Sequence, residues 1–442
     1  MKPPAQSDPA VPQLVTAPLV NIEKPIYGGS FLARADGKAV FVPLVLPGEQ
    51  ARIRLVQSRS SYSTAEAEEI LATAPERITP ACPHYGACGG CHYQHASYEA
   101  QLAFKQAILR ETLTRACIQP PAEISVLAAN PWAYRNRIRL AFDAAGNPGY
   151  RNRRSHALVL IRECPIAAPL LVTAALAAAE IAASLAPVQR PTEISLFCNA
   201  SETALLATLI VPIPRSLPFE RFAQSLRDRI PALVGADMVV ESPATGRTPV
   251  PPRTVNTWGA NSLTYSAAGF DYRVDLGAFF QVNRYLVDLL VSCVISDFRG
   301  GLAWDLFAGV GLFARRLTAS FERVVAVESA PTATRALAAN LDGSSSTAVH
   351  KSTLDFLRKD QKADRPDLIV VDPPRTGLGP EATALLASIA APSLAYVSCD
   401  PATLARDLRT LLGSGYRIDR LSLADLFPQT FHLESIVHLR RS

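Results

Sequence analysis

Leu302-Ala303-Trp304-Asp305-Leu306-Phe307-Ala308-Gly309-Val310-Gly311 decides how this chain folds. The stretch to Phe307 is an apolar run of strand length, Ala308 to Gly311 is a glycine turn, and Leu312 to Leu317 opens a helix. Strand, glycine turn and helix in that order make a ligand cradle, because glycine lets a ligand approach the backbone beside a helix N-terminus. Glu328 follows at the end of the next apolar run, where a carboxylate can accept both hydroxyls of a ribose. Alone, the stretch leaves its ligand open. Gly309-Val310-Gly311-Leu312-Phe313-Ala314 also satisfies the dinucleotide fingerprint, so a dinucleotide and S-adenosylmethionine stand level, with a purely structural turn behind them.

Outward from this point, Val324-Val325-Ala326-Val327, Leu368-Ile369-Val370-Val371 and Leu394-Ala395-Tyr396-Val397 read as buried parallel strands separated by helices. Residues 263–442 are therefore an α/β domain. Residues 76–262 begin with cysteines and mix strands with an alanine-rich helix, an α+β pattern. Across 17–75, short runs such as Ala39-Val40-Phe41-Val42 and Ala51-Arg52-Ile53-Arg54-Leu55 are broken by Gly28-Gly29, Asp36-Gly37 and Pro47-Gly48, which fits a small OB-like β-barrel. Residues 1–16 read as a loose leader, and no internal repeat is visible.

The chain has 442 residues and a formal net charge of +5, an excess that permits a polyanionic partner without demanding one. Met1 to Pro12 lacks the apolar core of a signal peptide. The longest greasy stretch, Leu170 to Ala186, is mostly alanine and contains Glu180, so a buried or amphipathic helix is expected before a membrane span. A cytoplasmic protein follows, in which eight cysteines are thiols or metal ligands before they are disulfides.

Two further strands end in chemistry. Asp372-Pro373-Pro374-Arg375 follows an apolar strand, and its prolines force a turn at the sheet's carboxyl edge, where ligands bind in open α/β sheets. Asp372 is thus placed to meet a cofactor or a base; a turn or capping aspartate is the plainer reading. The next strand ends Tyr396-Val397-Ser398-Cys399-Asp400-Pro401. A lone cysteine is by default a small hydrophobe, but here helix amides after Pro401 are expected to lower the thiol pKa. A thiolate suits one methyl transfer in particular. Carbon 5 of uracil is a poor nucleophile until a thiolate adds at carbon 6 and turns the ring into an enolate. The scheme then needs a base for the carbon-5 proton. Glu434, before the apolar strand Ser435-Ile436-Val437-His438-Leu439, is a candidate whose ordinary reading is a solvated glutamate.

Taken together, Phe279-Phe280-Gln281-Val282-Asn283, Asp305 to Gly311, Asp372 to Arg375 with Gly377, Ser398 to Asp407 and Phe427-Pro428-x-Thr430-x-His432-x-Glu434 resemble the RNA uracil-5 methyltransferase family. The resemblance runs from about Leu19 to the end. It implies a Rossmann-like class I methyltransferase domain, Cys399 as nucleophile and Glu434 as base, with Gln281, Phe307, Glu328 and Asp372 at S-adenosylmethionine, beside Gly309 and Gly311 of the glycine turn read above. Asp400 stands where the family commonly has asparagine, and Ala308 where it often has cysteine; around Thr353-Leu354-Asp355 the match is weak. The first fifty-odd residues resemble the TRAM barrel of RNA-modifying enzymes, through Tyr27-Gly28-Gly29, Phe41-Val42-Pro43 and Pro47-Gly48-Glu49.

Cys82, Cys88 and Cys91, with the distant Cys164, could hold a 4Fe-4S cluster or zinc or stand unliganded, preferred in that order by spacing. In ribosomal-RNA members of the family the pattern, including a cysteine before proline (here Pro165), implies the 4Fe-4S cluster. Arg135, Arg137 and Arg139 alternate in Tyr134 to Leu140; in a strand they share one face about 7 Å apart, a spacing that suits phosphates. Arg151, Arg153 and Arg154 follow. The expected partner is structured RNA, ribosomal before transfer RNA, because the transfer-RNA branch often lacks barrel and cluster. A monomer with no membrane contact is expected. A dehydrogenase would need no thiolate, an amino-group methyltransferase favours an aromatic residue where Arg375 stands, and a radical enzyme leaves one iron open where Cys164 would close it. A non-catalytic RNA-binding protein would not need the catalytic set.

Overall fold

Alternating strands punctuated by glycine turns close on themselves at the N-terminal side of the chain. In this computed structural model, which describes residues 17–213, 217–240, 253–295, 297–360 and 365–441, β1 (Leu19–Pro25), β2 (Ser30–Ala35), β3 (Lys38–Pro43), β4 (Gln50–Ser58) and β5 (Tyr62–Ala72) form a closed barrel of order β1-β2-β3-β5-β4. The leader read over 1–16 lies outside the described residues. Val20, Ile22, Phe31, Val40, Val42 and Ile53 fill the barrel. Glu49 is buried there and accepts two hydrogen bonds from Arg77, at 2.5 and 2.7 Å.

The chain divides into two compact units, residues 1–77 and 78–442. The change of region read near residue 262 therefore falls inside the second unit. That unit begins with α1 (Tyr98–Arg115), capped by the Ser97 hydroxyl, and β6 (Ser125–Leu127). A seven-stranded sheet follows. It comprises β7 (Arg137–Phe142), β8 (Pro148–Arg151), β9 (Leu158–Leu160), β10 (Glu193–Cys198), β11 (Leu205–Val211), β12 (Leu233–Val240) and β13 (Arg253–Gly259). Between these strands run α2 (Pro169–Ala183) and α3 (Phe219–Arg229), which bury Leu171, Ala175, Phe222 and Leu226 in one core with Ile194, Leu196 and Leu209. Among the described residues no helix is long and apolar enough to cross a membrane.

The hairpin β14 (Ser262–Ala267) and β15 (Phe270–Asp275) leads through α4 (Val287–Ile295) to the last sheet. Its elements are β16 (Gly300–Leu306), α5 (Leu312–Leu317), β17 (Phe321–Glu328), α6 (Pro331–Leu341), β18 (Thr347–His350), α7 (Thr353–Asp360), β19 (Leu368–Val371), α8 (Gly379–Ile389), β20 (Ser393–Ser398), α9 (Pro401–Gly413), β21 (Tyr416–Ala424) and β22 (Glu434–Arg441). The spatial order is β18-β17-β16-β19-β20-β22-β21-β6. From β18 to β20 neighbours are parallel, while β22 runs antiparallel to β20 and β21. From β16 the chain steps outward to β17 and β18, then returns to build β19 and β20 on the other side. That reversal opens a crevice at the carboxyl ends of β16 and β19.

Candidate active site

Every strand that borders the crevice delivers a side chain to it. After β16 the backbone passes through the left-handed region at Phe307 (φ 66°), Gly309 (φ 57°) and Gly311 (φ 92°). A Cβ on Gly311 would lie 2.6 Å from Leu337 Cδ1, so α5 can pack on α6 only over a glycine. A Cβ on Gly309 would meet nothing within 4 Å, which leaves that face of the turn for a ligand. Glu328 ends β17 and fastens the turn. Its Oε2 accepts from Gly309 N–H at 2.9 Å, and its Oε1 from Ser329 and Ala330 N–H, both at 2.7 Å.

Asp372 leaves β19, half-buried, and accepts a 3.4 Å hydrogen bond from Gln281 Nε2. Cys399 leaves β20. Because β22 is antiparallel to β20, with Ser435 opposite Ser398, its first residue stands at the same edge, and that residue is Glu434. Glu434 is 5% exposed, so the solvated-glutamate reading is overturned. The crevice thus gathers Cys399, Glu434, Asp372, Gln281 and the glycine turn.

The electrostatics are set by burial. Desolvation pushes the Asp372 carboxyl up to about 7. Glu434 is driven well above the usual carboxylate range by desolvation and the neighbouring Asp372, with Arg375 opposing. The Cys399 thiol is pushed up to about 12 by desolvation first, then by Glu434 and Asp372, and Arg375 again opposes. The expected lowering by helix amides does not occur. Asp400 caps α9 itself, accepting from Ala402 and Thr403 N–H at 3.0 and 2.9 Å, so those amides are spent on the carboxylate.

Two residues were given no role of their own in the sequence reading. Asp305 is fully buried, accepts from Ala314 N–H at 2.8 Å and is pushed up to about 8 by desolvation, Asp372 and Glu328. Phe279, two residues before Gln281, is 61% exposed, an aromatic face open to a base. Either was findable only as a member of a quoted motif.

The four expected ligand cysteines share one cavity of about 340 Å³, lined also by His84, Gln94, Arg135, Tyr150 and His432. Gly90 N–H donates to Cys88 Sγ at 3.4 Å, and the buried His84 Nε2 has no hydrogen-bond partner. Among the described residues, however, no three His, Cys, Asp or Glu side chains are set to hold a metal ion. The set is gathered without being closed on one ion.

The arginine row is corrected. Strand β7 begins only at Arg137, and Arg135 lies before it, in isolated bridges to Ala167 and Asn283, lining the cysteine cavity. Pairing of β7 with β10 sets Phe197 opposite Arg137. The Arg137 guanidinium sits 4.4 Å from that ring and donates to Ala278 O at 2.7 Å. Arg139 pairs with Glu193 at 2.5 Å. The three form no common exposed face.

Residues 258–442 match the family model for tRNA (uracil-5-)-methyltransferase. The 23S rRNA (uracil(1939)-C(5))-methyltransferase RlmD of Chromohalobacter salexigens is 35% identical, over 96% of this chain and 90% of that protein. The chain belongs to the RNA uracil-5 methyltransferase family. The RlmD protein of Azoarcus sp. is 33% identical over 96% of this chain and all of its own length, and an uncharacterized RNA methyltransferase of Thermotoga maritima is 29% identical over 95% of this chain. The tRNA (uracil-54, C5)-methyltransferase of Pyrococcus abyssi, solved with S-adenosyl-L-homocysteine, superposes with a TM-score of 0.76 over 95% of this chain and 100% of its own. At 22% identity that likeness establishes the fold: an α/β methyltransferase preceded by a small barrel-like sheet. Membership makes this chain an S-adenosylmethionine-dependent RNA uracil-5 methyltransferase.

Proposed function

We propose that this enzyme methylates carbon 5 of a uridine in 23S ribosomal RNA through a covalent Cys399–carbon 6 adduct. The observation that carries the reading is the convergence of Cys399, Asp372 and Glu434 from β20, β19 and β22 on one crevice. The ribosomal substrate rests on the RlmD relatives. Work on RNA in the cytoplasm is part of the same reading.

S-adenosylmethionine supplies the methyl group on a sulfonium cation, and the glycine turn with its open face at Gly309, together with Gln281, Phe307, Glu328 and Asp372, fits it. Cys399 Sγ adds to carbon 6 of the uracil, and the Arg375 charge favours the thiolate. After methyl transfer, the ionised Glu434 carboxylate, made a stronger base by its raised pKa, takes the carbon-5 proton and the carbon–sulfur bond breaks, returning the Cys399 thiolate. Phe279 is a stacking face for the extruded base.

The barrel is read as a TRAM module. Cys82, Cys88, Cys91 and Cys164 fit a 4Fe-4S cluster by donor chemistry and by the cavity they share, and such a cluster would tie the start of the second unit to the β9–α2 connection. Arg139 remains a candidate for RNA, now with Arg151 and Arg153, which line an adjoining cavity of about 520 Å³ with Gly89 and Gly90.

Two substitutions test the chemistry. Cys399→Ala is expected to abolish methylation and covalent attachment to RNA. Glu434→Gln is expected to permit addition and methyl transfer but to stall elimination, leaving protein joined to methylated RNA. RNA bearing 5-fluorouridine should trap the unaltered enzyme likewise. Denaturing gels read all three outcomes; an adduct with Cys399→Ala would refute the nucleophile, and normal turnover by Glu434→Gln would refute the base.

A further inference from the structure

The cysteine cavity and the crevice share a wall. His432 lines the cavity. From the same ring, Nδ1 lies 3.0 Å and Nε2 3.4 Å from an Arg375 guanidinium nitrogen, an N–H donor. The charge of Arg375 in turn opposes the rise that burial imposes on both Cys399 and Glu434. The ring cannot swing freely. Phe431 lies 4.2 Å away between ring centres, Phe427 5.6 Å, and His92, which follows Cys91, 6.5 Å.

The loop carrying His432 is anchored from the cysteine side. His92 and Tyr93 N–H both donate to Gln429 O, at 2.8 and 3.0 Å, while Gln429 itself adopts a left-handed φ of 68°. Gln101 on α1 exchanges hydrogen bonds with Gln429, donating from Nε2 to Oε1 and accepting from the backbone N–H, both at 2.9 Å. Lys105 grips Asp425 at 2.5 Å and Phe427 O at 3.0 Å. Segment 92–93 and α1 therefore fix the strand entry that presents His432 and, two residues on, Glu434.

We propose that His432 is a positioning residue that holds the Arg375 guanidinium beside Cys399 and Glu434, and that its own placement is set by the wall of the cysteine cavity. Arg375 is exposed, and an arginine on a flexible stem loses much rotamer freedom when fixed. A planar acceptor already held by packing supplies that restraint. The inference rests on the roles given to Cys399 and Glu434 above, but its test reads the surroundings of the thiol whatever its role.

The measurement is the pH dependence of iodoacetamide alkylation at Cys399, followed by mass spectrometry of that peptide in the full-length protein. His432→Phe keeps a ring among Phe427, Phe431 and His92 but removes the acceptor. It is expected to move the alkylation profile to higher pH, because Arg375 no longer favours the thiolate, and to lower kcat about tenfold with the S-adenosylmethionine KM unchanged. His432→Asn, whose Oδ1 can stand near the Nδ1 position, is expected to restore much of both. Cys82→Ser should shift the profile in the same direction, and add nothing in the His432→Phe background. A wild-type profile for His432→Phe, or an Asn variant no better than Phe at equal thermal stability, overturns the positioning role. Additive shifts from Cys82→Ser and His432→Phe overturn the link to the cavity. Loss of the adduct with Cys399→Ala, by contrast, bears only on the nucleophile, so the two readings fail separately.

Discussion

Burial lets three carboxyls of the crevice, Asp372, Asp305 and Glu434, keep their protons at pH values where carboxyls in water are ionised. The unfolded chain releases the Asp372 proton near 3.8 and the folded chain near 7. Between those values the folded state binds more protons, so stability falls as pH rises through the window and stays lower above it. Asp305, raised to about 8, adds to the same slope. A cation bound beside Asp372 should relieve the penalty. S-adenosylmethionine and S-adenosylhomocysteine differ in that charge, so the gap between the melting temperatures they confer should be wider at about pH 8 than at about pH 6. Thermal melts with each ligand check this; an equal gap at both pH values would mean that the sulfonium does not face the carboxyls. In turnover, kcat/KM for S-adenosylmethionine, which reports the free enzyme, should rise as pH passes upward through about 7, where Asp372 ionises.

At the scale of elements, the turn after β16 assigns different tasks to its two glycines. Gly311 faces Leu337 of α6, whereas Gly309 faces open space. Gly311→Ala must relieve both a clash and a left-handed φ, and is expected to cost about 1–3 kcal/mol of stability. Gly309→Ala meets only the φ penalty, about 1 kcal/mol, yet should weaken S-adenosylmethionine binding more than Gly311→Ala does. Chemical denaturation and calorimetric titration separate the two effects, and equal losses of affinity would place the ligand elsewhere. This division could not be read from the sequence, which shows two glycines and no neighbours. The turn itself was legible, since a strand, a glycine pair and a helix start are local signals. The arginine row shows the limit of such signals. Alternation in Tyr134 to Leu140 is real, but the residue opposite on β10 decides what each arginine meets, and Phe197 took Arg137. Burial of Glu434 depended likewise on β22 running antiparallel to β20.

Over the whole molecule, the order of regions was legible because composition changes along the chain, from glycine-broken short strands to cysteines to alternating strands and helices. What escaped was long-range. The loop before Glu434 is held by α1 and by the segment following Cys91, more than 300 residues away along the sequence, as in the Gln101–Gln429 pair. This coupling gives the cysteine cavity a consequence beyond its own neighbourhood. If a 4Fe-4S cluster joins Cys82, Cys88, Cys91 and Cys164, protein prepared without oxygen should be brown, and serine at any of the four should bleach it. Loss of the cluster should also lower the melting temperature of the second unit, because ligand binding to the folded state alone is folding free energy. Since His92 and Tyr93 hold Gln429, the serine variants should lose kcat as well as stability, while S-adenosylmethionine, on the binding proposed at the glycine turn, should bind as before. Visible absorption, iron and sulfide content, melts and calorimetric titration on the same preparations decide it. Colourless protein with stoichiometric zinc would replace the cluster by a single ion. Brown protein whose serine variants keep full kcat would leave the cluster in place but sever it from the loop that carries Glu434.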